Sequence, residues 1–168
     1  MWWWSLLVGC ADDPLVTAWH RSFAIERARS AQETEGACEP PLEDGGTDAP
    51  YGFLAVSPGL PDVASLYLCD GPAAEDCPAQ PVGNIWIRRW TTEVLAGETG
   101  VSGVFGNLCT LSWNGIDARR RADGTIQVEL RAAARQEALP DPEDCDQALE
   151  SLIRSSCDAV LVLEGVQE

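Results

Sequence analysis

The sequence predicts a mainly-β or α+β domain: an antiparallel sheet of about six strands, with curling toward a barrel left open, one N-terminal helix and one late helix. Three observations carry this. Residues 125–134 alternate, with Ile126, Val128, Leu130, Ala132 and Ala134 of one parity and Gln127, Glu129, Arg131 and Arg135 of the other, the pattern of a half-buried antiparallel strand. Short apolar runs at 52–57 and 65–69 are bounded by Gly and Pro, and residues 85–94 are β-branched and aromatic, as strands are. Helical spacing is confined to residues 15–32 and about 141–155.

Taken in order, Asp12 or Asp13 can cap a helix that Pro14 opens, and Leu15, Trp19, Phe23 and Ile25 fall near one stripe of it. Residues 39–50 read as a solvated loop, since the acids there lack the spacing of a calcium loop. Pro72, Pro78 and Pro81 make 70–81 a second loop. The run Ile85-Trp86-Ile87-Arg88-Arg89-Trp90 is β-branched and aromatic, hence strand. Four glycines in residues 97–106 predict a turning connection. Residues 108–113 read as strand. Leu111 and Trp113 share one parity and Ile116 and Ala118 the other, so a bulge at Asn114-Gly115 is expected to restore one buried face. Asp123-Gly124 marks a turn. The late helix has acids in its first turn, Arg154 in its last, and Ala148, Leu149, Leu152 and Ile153 on its buried face. Residues 159–166, apolar on both faces, predict a central closing strand.

The chain carries seven cysteines. The first ten residues end in Leu7-Val8-Gly9-Cys10 after an apolar lead too short to span a bilayer. That tetrapeptide resembles the lipobox of bacterial lipoproteins. The resemblance implies residues 1–9 as signal peptide, lipidation of Cys10, residues 10–14 as tether and 15–168 as one globular domain. It implies a membrane partner reached through the lipid, and outer-membrane delivery because Ala11, not Asp, follows Cys10. Six cysteines remain: Cys38, Cys69, Cys77, Cys109, Cys145 and Cys157. An even remainder in an exported chain reads as three disulfides. Loop proximity suggests Cys69 with Cys77, Cys145 with Cys157 and Cys38 with Cys109. Export without a lipid, and an apolar terminus packed on a domain with free thiols, stay open.

Asp and Glu outnumber Lys and Arg by 27 to 11, for a net charge of −16, and there is no Lys. Such a charge repels phosphate backbones, so nucleic acid is not an expected partner. His20, the one histidine, stands apart from any nucleophile motif, and neither metal-ligand spacing nor a cofactor fingerprint occurs. The expectation is a lipid-anchored envelope protein with a binding or scaffolding role and no enzymatic activity. A secreted binding protein and a carboxylate-dependent hydrolase are the alternatives. Trp86, Trp90 and Trp113 form the candidate ligand surface, and Arg88-Arg89 and Arg119-Arg120-Arg121 are local basic spots.

Overall fold

The computed structural model describes residues 13–31, 42–57, 60–138, 144–155 and 159–167. The chain begins with a short helix, α1 (Pro14–Trp19), followed by β1 (Arg21–Ala31), the two-residue β2 (Glu43–Asp44), β3 (Tyr51–Ser57) and β4 (Leu60–Cys69). Then come β5 (Gly83–Trp90), β6 (Val94–Phe105), β7 (Leu108–Arg120) and β8 (Thr125–Ala138). The chain closes with α2 (Asp144–Ser155) and β9 (Ala159–Gln167). The molecule is mainly β, one antiparallel sheet of nine strands rather than the six expected.

Two of the extra strands come from segments expected to be something else. Residues 15–32 were expected as one helix. Asp13 caps α1 as anticipated, its Oδ1 accepting from Leu15 N–H at 2.9 Å, but the helix stops at Trp19. The remainder is β1, laddered from Phe23 to Ala31 against β9. A two-faced apolar strand such as β9 leaves a row of backbone groups unpaired unless both edges are covered, and β1 covers the second. A register shift between Ile25 and Arg27 lets Phe23, Ile25 and Ala28 all reach the same core, which produced the helix-like spacing. The glycine-rich connection expected at 97–106 is instead β6, paired without interruption from Val94↔Arg119 to Phe105↔Leu108.

The sheet returns to its first strand. Phe23 and Ala24 of β1 pair with Gly52 and Tyr51 of β3 on one side and with Gln167 and Val166 of β9 on the other. Hydrogen-bonded neighbours therefore run in a ring of eight strands, with β2 as an outlying pair on β1. The inward residues, among them Leu54, Leu66, Ile85, Leu95, Val128 and Leu163, are buried in one cluster. Trp19, fully buried, plugs one end, its indole Nε1 donating to the Thr91 carbonyl at 2.5 Å. At the same end the β7–β8 turn uses Gly124 at φ +86°, and Asp123 Oδ1 accepts from the Thr125 N–H and hydroxyl. Those two bonds hold the Asp123 carboxyl below its ordinary pKa.

β7 runs straight through Asn114-Gly115. Its register with β6 and β8 is unbroken, so the expected bulge is absent. Two cores replace it. Ile116 and Ala118 face the ring interior, whereas Cys109, Leu111 and Trp113 face outward beneath α2, with Ala133, Cys145 and Leu152. The switch of parity that suggested an inserted residue is a switch of which face is covered. α2 presents the anticipated Ala148, Leu149, Leu152 and Ile153 to this second core. It lies so close to β6 that a Cβ on Gly100 would sit 3.2 to 3.3 Å from Leu149 and Ile153, which explains a glycine in mid-strand.

Candidate functional site

The disulfides fix two outer elements to the ring. Cys69–Cys77 forms as expected and ties the end of β4 to the following loop. Cys109–Cys145 joins β7 to α2 and overturns both other expected pairs, since Cys109 is not available to Cys38 nor Cys145 to Cys157. Loop proximity failed here because β7 and α2 approach through the sheet's outer face. Cys10, Cys38 and Cys157 lie outside the described residues, as does the tether up to Asp12.

The three tryptophans expected to share a surface do not: the register shift between Ile87 and Arg89 turns Trp90 inward, while Trp86 and Trp113 stay on the outer face in different surroundings. Trp86 is 52% exposed on the outer face. Trp90 packs against the interior cluster with its Nε1 buried and without a partner among the described residues. Trp113 is buried in the second core, 7% exposed, its Nε1 donating to Glu98 Oε2 at 3.3 Å. Its indole lies over Gly115, where a Cβ would meet ring carbons at 2.9 Å. The Asn114-Gly115 pair thus marks the glycine beneath an aromatic ring, not a bulge.

Beside that indole, a groove of about 430 Å³ runs over the outer face of β5 to β8. The register stacks its lining in rows. Glu98, Gly115 and Arg131 are cross-strand neighbours, as are Arg89, Ala96, Asp117 and Glu129 one row along. Ala96 and Gly115 make the floor low, and Arg88, Arg89 and Arg131 stand on its sides. Asp117 takes Arg119 Nε at 2.9 Å and Arg89 Nη2 at 3.6 Å, while Glu129 takes Arg131 Nε at 2.5 Å. The Asp117 carboxylate also raises the Arg119 pKa above its ordinary value. Arg88 sits where the β5–β6 register shifts between Ile87 and Arg89. Among the described residues it has no ion pair.

Chemically the groove has cationic capacity left over. A guanidinium presents a rigid fork of donors suited to carboxylate or phosphate, and Arg88 and the loosely held Arg89 can both turn to such a group. The indole edge adds an apolar contact. Sequence reading named Trp113 and the Arg88-Arg89 pair separately. What it missed was that Glu98, Asp117, Glu129 and Arg131 join them, because only the cross-strand register brings these positions into one patch.

His20 plays a supporting part. Its Nδ1 lies 3.0 Å from the Val56 carbonyl and 3.2 Å from the Val56 N–H, and its ring meets Phe53 edge-on. Among the described residues there is no group of three or more His, Cys, Asp or Glu placed to hold a metal, and no helix is long and apolar enough to cross a membrane. Comparison with known protein families, with curated proteins and with solved structures finds no match.

Proposed function

We propose that this protein is a lipid-anchored, disulfide-stabilised cell-envelope protein with a non-enzymatic binding role, and that its ligand face is the outer groove beside Trp113. The observation that carries the binding face is Arg88, left without an ion pair among the described residues of a chain of net charge −16. A cation held free amid surplus carboxylates is a place for an anionic group from outside. The ring of eight strands reads as a small barrel, and barrels of that size either fill their interior with side chains or hold one small ligand. Leu54, Leu66, Leu95, Val128 and Leu163 fill this one, which favours the exterior. Charge outside and apolar side chains inside is the reverse of a membrane-spanning barrel, so membrane attachment falls to the lipid on Cys10. A single acyl chain holds only marginally, and the several chains of a bacterial lipoprotein hold firmly. Outer-membrane placement follows from Ala11 by the same resemblance.

The intact mass of the protein from its native membranes, alkylated with and without prior reduction, tests this reading. The expected mass starts at Cys10, carries acyl chains and gains six thiols on reduction. A lipid-free chain starting after Cys10 would instead indicate a secreted binding protein. An unprocessed chain from Met1 with seven free thiols would overturn both.

A further inference from the structure

The β5–β6 ladder ends at Trp86↔Glu98, and Trp86 N–H donates to the Thr99 hydroxyl at 2.9 Å. Beyond that point β6 continues to Phe105, paired with β7 on one side. No strand among the described residues pairs with its other side. With β7 and β8 it forms an arm that extends past the ring, because β8 also outruns its ladder with β9 at Ala132. The arm's two free edges differ. The β8 edge carries Arg135 and Glu137, charges of the kind that protect an edge. The β6 edge reads Thr99-Gly100-Val101-Ser102-Gly103-Val104-Phe105, with no charge and no proline, and its ladder to β7 has no bulge. Val101 is 58%, Val104 43% and Phe105 75% exposed. Such an edge presents a row of backbone donors and acceptors ready for another strand.

We infer that the β6 edge, residues 100–105, receives an extended segment of a partner protein by strand addition, and that the segment is apolar on one face and basic on the other. The apolar face follows from Val101 and Phe105, which share the side of the arm away from α2. The basic face follows from the opposite side, where Asp146 of α2 reaches the edge and its Oδ1 accepts from the Ser102 hydroxyl at 2.7 Å. A Lys or Arg of the incoming strand beside Ser102 meets that carboxylate. The same residue selects against a second copy. Antiparallel self-pairing about Ser102 would bring two Asp146 carboxylates together between chains that each carry −16.

The test uses the full chain and two synthetic octapeptides, one alternating valine with lysine and one alternating valine with glutamate. Binding is followed by calorimetry and by amide hydrogen exchange. The lysine peptide is expected to bind at least about tenfold more tightly, like-charge contacts being the costlier, and to protect amides within 100–105. Asp146→Asn should reduce the preference while leaving binding. Val101→Lys with Phe105→Lys, both at exposed positions, should abolish binding with the Cys109–Cys145 bridge intact. Equal affinity for the two peptides, protection elsewhere, or unchanged binding by the double variant would overturn the inference. So would a concentration-dependent dimer that the lysine peptide displaces, since the edge's occupant would then be a second copy.

Discussion

Trp86 and Trp113 are the same residue type on the same outer face and nevertheless answer to different physics. Trp113 is enclosed by α2 and by Glu98, whereas half of Trp86 is in solvent. Truncating a buried aromatic removes its transfer free energy and leaves a cavity, about 3–5 kcal/mol. An exposed one away from such features changes stability by about 0.5 kcal/mol. Urea unfolding of Trp113→Ala and Trp86→Ala should therefore differ by several-fold in their loss of stability. Equal losses would contradict the placement of α2 over Trp113. The residue types of the groove were legible in the sequence, down to the Arg88-Arg89 pair. Their company was not, because Glu98 and Arg131 become neighbours of Gly115 through register, a relation no local window contains.

At the scale of elements, α2 is a separate layer on an otherwise closed sheet, resting on Gly100, Leu111 and Trp113 and bridged by Cys109–Cys145. The bridge closes a loop of sequence separation 36, for which the stabilisation is about 2–4 kcal/mol. Mild reduction is expected to raise hydrogen exchange across residues 144–155 while the ring strands stay protected. Simultaneous loss of protection everywhere would mean that the two cores form one cooperative unit. The helix itself was readable, including its buried face, because four apolar residues at helical spacing can serve one neighbour. β1 was not readable. Its inward residues are spaced two and then three apart by a register shift, which from sequence looks like a helical stripe. β6 was hidden for the opposite reason: Gly100 makes room for the helix above it and Gly97 for the β5 backbone at Trp86 and Ile87, yet glycine in sequence speaks of turns.

For the molecule as a whole, β1 closes the ring by pairing with both β3 and β9, and Trp19 seals one open end of it. Trp19→Ala opens the largest cavity available to a single substitution in the interior cluster, costing about 3–5 kcal/mol. That is a large share of the total for a domain of this size, about 5–15 kcal/mol. The thermal midpoint should fall steeply, with Cys69–Cys77 and Cys109–Cys145 still formed. A loss of stability within about 1 kcal/mol would show that the plug is dispensable.

The position of that plug also sets a standoff. Asp13, from which any N-terminal tether must depart, stands at the Trp19 end, alongside Gln167, whose side chain donates to the Ala18 carbonyl at 3.0 Å. β6 starts at this end and runs 12 residues away from it, a span of about 40 Å at strand rise. A chain held at its N-terminus therefore carries its uncharged edge at arm's length from the holding surface, with the arginine groove partway along the side. On the proposed anchoring, the groove and the β6 edge stand at different distances from the membrane, so a ligand on one leaves the other accessible.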